Sequence, residues 1–203
     1  MEIHRIQSWP HELAQNCWIL HDENLAAVID PGCENAAQIL SVLQNHAEIA
    51  AILLTHHHTD HTRALSDLIE KTGAPILIHP DDANIVENGW LALKKINKPE
   101  NPIRFTTQPI TDGQILNLGN LAIEVIATPG HTPGSVCFRV GNELFSGDTL
   151  FRENVGRTDL VGGNANDLQT SLAELLKLPI KTIVHPGHGE DWTIDAAKHY
   201  FQI

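Results

Sequence analysis

The sequence predicts an α/β fold of four layers, αββα, in which two sheets lie face to face and helices cover both outer sides. Three observations predict it. In the first half, short apolar runs of strand length alternate with helical patterns. In the second half, strands follow one another between Gly, Pro and Asn punctuation before two further helical stretches. Twice an apolar strand ends in a Pro-Gly turn that presents a histidine: LAIEVIA runs into Thr128-Pro129-Gly130-His131, and TIV into His185-Pro186-Gly187-His188. The repetition suggests two sheet halves of similar design, each with functional groups at its lip.

The elements follow in order. Cys17 to Leu20 and Leu25 to Ile29 read as paired strands, the second closed by Asp30-Pro31-Gly32. From Asn35 to His46, Ala36, Ile39, Leu40 and Leu43 keep one face of a 3.6-residue period, which predicts a helix. Ile49 to Thr55 is a strand, Thr62 to Lys71 a helix, and Ala74 to His79 another strand. Residues 87–109 carry three prolines and a basic cluster at Lys94, Lys95, Lys98 and Arg104, and read as a surface excursion. Strands resume at Gln114–Leu118, Leu121–Ala127, Val136–Val140 and Glu143–Phe145. The Gly-rich loop Gly156–Asn164 precedes a helix from Asp167 to Lys177 with Leu168, Leu172, Leu175 and Leu176 on one side. A last strand, Lys181–Val184, and a helix over Ile194–Phe201 complete the chain.

With 203 residues the chain suits one domain, 1–203, large enough to bury a sizeable core. Its apolar fraction of 42% is that of an ordinary globular protein. No apolar run is long enough for a membrane span, and the first residues lack the basic end and apolar segment of a signal peptide, so the expected location is the cytoplasm. Lys and Arg number 13 against 25 Asp and Glu, and the net charge of −12 argues against nucleic acid and acidic membrane surfaces as partners. Cys17, Cys33 and Cys137 form no CxxC pair, so neither a disulfide framework nor a thiolate zinc site is expected, and each reads as a small buried residue.

The chemistry concentrates in Leu53–Thr62, LLTHHHTDHT. Residues two apart in an extended segment point the same way, so His56, His58 and Asp60 can converge, and His61 can turn in beside Asp60 from the next helix. His57 falls on the opposite phase and reads as a spacer. Imidazole nitrogens and carboxylate oxygens are what Zn²⁺ and similar ions prefer where thiolates are absent. Four such donors exceed one open site and suit two neighbouring divalent ions, zinc first, with iron or manganese accepted by the same ligands. His131 and His188 are the completions, and Asp148, in Leu144-Phe-Ser-Gly-Asp-Thr149, follows a strand and a Gly turn as the bridging carboxylate. Two divalent cations outweigh two carboxylates and one hydroxide, so the site faces its substrate with positive charge and favours a developing oxyanion. Asp30, at the end of a buried strand, suits an acceptor behind a ligand histidine. The other histidines, His4, His11, His21, His46, His79, His185 and His199, read as ordinary surface or packed residues.

Together His56-x-His58-x-Asp60-His61, His131, Asp148 and His188, with Asp30 upstream, resemble the metallo-β-lactamase superfamily over most of the chain. The resemblance implies the αββα sandwich of the metallo-β-lactamase type. It implies that His56, His58 and His131 hold one metal, Asp60, His61 and His188 the other, and that Asp148 bridges them, with Asp60 and Asp148 as catalytic carboxylates. Ser146-Gly-Asp-Thr-Leu-Phe151 and Val155-Gly-Arg-Thr-Asp159 are similar to the glyoxalase II group, in particular to short bacterial hydroxyacylglutathione hydrolases. That likeness implies hydrolysis of a glutathione thiolester such as S-D-lactoylglutathione to glutathione and a hydroxy acid. Arg157 stands where a substrate-binding residue is expected and can pair with a glycyl carboxylate; its alternative is an ion pair with Asp148 or Asp159. Longer members carry a helical C-terminal domain that grips glutathione, whereas 15 residues follow His188 here.

Two readings of other kinds compete. In a persulfide dioxygenase of the same fold, His56, His131 and Asp148 would hold a single iron that activates O₂ on glutathione persulfide. A metal-binding module without catalysis would have no need of an open two-metal site beside a Gly-rich loop.

Overall fold

The computed structural model describes residues 1–8, 14–44, 47–86 and 106–202. The first sheet has the order β1 (Glu2–Gln7), β2 (Asn16–Asp22), β3 (Leu25–Ile29), β4 (Glu48–Leu53), β5 (Ile76–Ile78) and β6 (Thr107–Pro109). Its first three strands pair antiparallel and the rest parallel. Helices α1 (Ala36–Leu43), α2 (Thr59–Thr62), α3 (Leu65–Thr72) and α4, over residues 80–86, belong to this half. The second sheet is built from β7 (Ile115–Leu118), β8 (Leu121–Ala127), β9 (Val136–Val140) and β10 (Glu143–Gly147). A small hairpin, β11 (Leu150–Phe151) and β12 (Asn154–Val155), and helix α5 (Ala165–Leu175) intervene. β13 (Ile183–Pro186) and β14 (Trp192–Thr193) then join the sheet in the order β14-β13-β10-β9-β8-β7, and α6 (Ile194–Phe201) closes the chain.

The layers follow from strand periodicity. In β2, Cys17 and Ile19 point to one side and pack with Ile39 of α1 and Leu65 and Leu68 of α3, while Trp18 and Leu20 point to the other. Ala26 and Val28 against Ala27 and Ile29 repeat the split in β3. The inner faces of the two sheets meet in one core, where Trp18, Ile29 and Leu53 pack with Val125, Phe138 and Phe145. A third core lies behind the second sheet, where Cys137, Leu144 and Val184 meet Leu175 of α5 and Ile194 and Ala197 of α6. Three cores between four layers are the αββα sandwich that the sequence predicts.

Three helix ends have a clear local cause. The Asn164 side chain accepts from the main-chain N–H groups of Asn166 and Asp167 to cap α5, and Thr193 accepts from Ala196 to cap α6. α3 stops at Gly73, whose φ of 66° suits a residue without a Cβ.

Several expectations change. The predicted helix over 62–71 is divided into α2 and α3, and begins at Thr59 rather than Thr62. β1 has no counterpart in the sequence reading, because as an edge strand it buries little and shows weak alternation. Residues 107–109, assigned to a surface excursion, form β6; Pro109 is tolerated there because the strand lies at a sheet edge. The rest of that stretch, with its basic cluster, lies outside the described residues, as do His11 and His46. Among the described residues no helix is long and apolar enough to cross a membrane.

The sheets are joined across the site. Asn16, at the start of β2, donates its main-chain N–H to the Gly187 carbonyl at 2.8 Å and its amide to the Pro186 and Gly189 carbonyls at 3.0 and 2.9 Å. Trp18 Nε1 donates to the Pro186 carbonyl at 3.2 Å. Asp30, the His56–His61 segment, His131, Asp148 and His188 all follow the C-terminal ends of strands, β3, β4, β8, β10 and β13, at this junction.

Candidate metal centre

β4 ends at Leu53, and the chain bends at Thr55 and His56 before His58, which is extended and precedes the single turn of α2. His56 and His58 thereby reach His131 from the turn after β8. His58 Nδ1 and His131 Nε2 lie 2.9 Å apart. Nearby protein atoms fix which nitrogen of the His131 and His56 rings carries a proton. His131 Nδ1 donates to the Arg157 carbonyl at 2.7 Å, which leaves Nε2 as the lone-pair nitrogen. Thr55 Oγ1 donates to Asp30 Oδ2 at 2.6 Å and so accepts from His56 Nδ1 at 3.0 Å. That leaves His56 Nε2, buried and without a hydrogen-bond partner. A buried lone pair with nothing to accept is costly unless an ion takes it.

The second group is Asp60, His61 and His188. His61 Nδ1 donates to Asp30 Oδ2 at 2.8 Å, and its Nε2 lies 3.3 Å from His188 Nε2. His188 Nε2 is 3.2 Å from Asp60 Oδ2, and His61 Nε2 is 3.7 Å from the same oxygen. Asp148 stands between the groups. Its Oδ1 is 3.2 Å from His61 Nε2, and its Oδ2 is 3.6 Å from His131 Nε2 and 3.7 Å from His188 Nε2. Donors bound at about 2.0–2.1 Å to one tetrahedral ion sit roughly 3.3 Å from each other, so these separations suit metal coordination. His56, His58 and His131 form one cluster able to hold an ion, and Asp60, His61 and His188 another. The donor set fits a pair of divalent cations.

Burial and neighbouring charge prepare the groups. Burial, followed by His61, His131 and His58 nearby, holds His56 well below the usual histidine range. Burial and the adjacent His131 push His58 down to about 4. His61 moves the other way: burial disfavours its charge, but Asp148 and Asp30 together raise it well above the ordinary value. Asp148 is lowered because His61 outweighs the penalty of burial. Asp60 is lowered in the same way by His188 and His61.

Two of the glycines that leave no room for a side chain stand against the centre itself. A Cβ on Gly187, in the second Pro-Gly-His turn, would lie 2.4 Å from Asp148 Oδ1 and 2.6 Å from His61 Cε1. One on Gly156 would lie 1.9 Å from the Asp148 carbonyl oxygen.

The structure thus brings together His56, His58, Asp60, His61, His131, Asp148 and His188, with Asp30 behind two of them. Arg157 stands apart in its side chain. Its guanidinium is exposed and forms a two-pronged pair with Asp159, both contacts at 2.7 Å, and of the two ion pairs expected it makes the one to Asp159. His57 is turned away from the donor clusters, as its phase predicts. The sequence reading missed its partner, Asp82, whose signal is an aspartate just after β5 and its Pro80 helix start. His185 is a packed residue, stacked on Phe145 at 4.8 Å and hydrogen-bonded to Glu143 at 2.8 Å. All three cysteines are free and buried, and burial pushes the Cys137 thiol up to about 12.

Comparison with known proteins gives a consistent picture. The family described as the Metallo-beta-lactamase superfamily matches residues 12–188. The chain is 38% identical to the "Probable metallo-hydrolase YqgX" of Bacillus subtilis over 186 residues, covering 87% of this chain and 85% of that one. It is 34% identical to a hydroxyacylglutathione hydrolase of Methylobacillus flagellatus over 174 residues, 84% of this chain but 60% of that longer one. The crystal structure of TTHA1623 in a di-iron-bound form superposes with a TM-score of 0.83 at 34% identity, covering 97% and 98% of the two chains.

Proposed function

The chain belongs to the metallo-β-lactamase superfamily, and from that premise we propose that it is a metal-dependent hydrolase of thiolesters, acting on S-D-lactoylglutathione or a related hydroxyacylglutathione. The observation that carries the reading is the pair of donor clusters with Asp148 between them, and the buried His56 Nε2 that has no hydrogen-bond partner among the described residues. In this proposal His56, His58 and His131 hold one divalent ion, Asp60, His61 and His188 the second, and Asp148 touches both. Zinc is the first choice, and the di-iron neighbour supports iron as an alternative. When bound, such a pair supplies a hydroxide nucleophile at neutral pH and Lewis-acid polarisation of a scissile carbonyl.

The chain's own residues do the rest. Asp30 and Thr55 fix the tautomers of His61 and His56, and the Arg157 carbonyl fixes that of His131. Asp60 and Asp148 bring negative charge to a centre otherwise made of histidine rings. A thiolate leaves readily, so the site needs no strong general acid, and its supply of histidine donors without a free acid suits a thiolester better than an amide. The thiolester assignment rests on likeness to hydroxyacylglutathione hydrolases and on the Gly156-Arg157-Thr158-Asp159 loop beside His131. Arg157 would exchange Asp159 for a carboxylate of the substrate. Residues 1–203 would form one catalytic domain.

Metal analysis and two assays on one preparation test this. The expected result is about two metal ions per chain and cleavage of S-D-lactoylglutathione. One iron per chain, with O₂ consumption on glutathione persulfide and no thiolester cleavage, overturns it.

A further inference from the structure

We propose that Asp82 is a positioning residue that clamps the two halves of the first metal cluster at their working separation. The inference rests on reading His56, His58 and His131 as metal ligands, and adds to that reading a residue from a different part of the chain.

His58 and His131 come from different sheets, by way of the turn after β4 and the turn after β8. Something must hold these turns together, because ring nitrogens 2.9 Å apart would otherwise gain from separating or sharing a proton. Asp82, in the first turn of α4 and 0% exposed, touches both. Its Oδ2 accepts from the main-chain N–H of His57 at 3.0 Å and from His57 Nδ1 at 2.9 Å. The same oxygen accepts from Thr132 Oγ1 at 2.8 Å, and Oδ1 accepts from the Gly134 N–H at 2.8 Å. Two of the four donors are therefore on the residue between His56 and His58, and the other two lie one and three positions beyond His131.

A buried carboxylate is retained only where several donors repay its desolvation, and four do so here. Gly134 shows how closely the parts fit: a Cβ there would lie 2.7 Å from Asp82 Cγ. Only an ionised carboxylate can accept from all four groups at once. An amide of the same shape presents its NH2 either to His57 and Thr132 or to the Gly134 N–H, and in both places an acceptor is needed. Among the described residues Asp82 bonds to neither Asp60, His61 nor His188, so its influence falls on one cluster. That selectivity separates positioning from general support of the fold.

The test is a cobalt(II) titration of the metal-free protein at buffered free-metal concentrations, read by visible absorption and by bound metal per chain, for wild type, Asp82→Asn and Thr132→Val. Asp82→Asn is expected to weaken one of the two binding steps by about 10–100-fold, the usual cost of losing an outer-shell partner, and to leave the other step unchanged. Thr132→Val, which removes one donor, is expected to weaken the same step by a smaller factor, and it carries the test if Asp82→Asn does not fold. Two unchanged binding steps, or equal weakening of both together with the thermal midpoint, overturn the proposal. Wild-type protein that took up no cobalt would overturn the reading of the metal centre and this inference with it; two ions on wild type with no selective effect overturn this inference alone.

Discussion

The ring of His61 is tied to Asp30, Nδ1 donating to Oδ2 over 2.8 Å, with both residues shut off from solvent. The same carboxylate accepts from the Thr55 N–H at 2.8 Å and the Thr55 hydroxyl at 2.6 Å, and through Thr55 it orients His56. One buried acid thus sets a ring in each donor cluster. Asp30→Ala is expected to weaken both ions by about 10–100-fold each and to cost stability on the order of 1–3 kcal/mol, since buried donors lose their acceptor. Metal titration and denaturant unfolding of the variant check this; loss confined to one ion would contradict the double role.

Asp148 is the carboxylate that faces both clusters. Asp148→Asn is expected to lose metal and activity together while its far-UV circular dichroism stays that of wild type. Full activity in this variant would remove Asp148 from the centre.

Arg157 and Asp159 pair in solvent, away from the donor cluster, so their replacement should leave metal content unchanged. If Arg157 receives a substrate carboxylate, Arg157→Ala raises KM by roughly tenfold with kcat little altered, the signature of lost uniform binding. Asp159→Ala frees the guanidinium and should lower KM. Steady-state kinetics on S-D-lactoylglutathione decide it, and unchanged KM in both variants would return the pair to a purely structural role.

Burial works against the Asp82 charge, but the hydrogen bond and charge of His57, with Thr132 and Gly134, hold its carboxyl below the ordinary value. A lowered carboxyl favours the folded state above its unfolded value of about 3.9, and that contribution is lost as pH falls through the folded value. Unfolding free energy of the metal-free protein should therefore drop as pH is taken from 5 towards 3. The slope should be shallower in Asp82→Asn, which has no such proton to bind. Identical slopes in denaturant titrations of the two proteins would show that Asp82 does not contribute.

Much of this was legible in the residues. LLTHHHTDHT, the two Pro-Gly-His turns and Ser146-Gly-Asp148 announce the centre because metal donors must be specific residue types, and strand periodicity fixes which of them converge. β8, β9 and α6 were readable to the residue, since their apolar patterns are regular and their ends are marked by turns. β1 and β6 were not, because edge strands bury too little for alternation to develop. Asp82 was hidden for another reason. Its partners lie 25, 50 and 52 positions away, and an aspartate early in a helix looks like an ordinary N-terminal acid until the fold brings His57 and Thr132 to it.

The bonds from Asn16 and Trp18 to the turn before His188 join segments 170 and 168 positions apart. His61 and His188 stand 127 positions apart and meet only through that closure. During synthesis, therefore, His188 must have left the ribosome before the second donor cluster is complete. A long loop must close before its contact can reward it, which places metal loading late, as a seal on a finished structure rather than a seed for it.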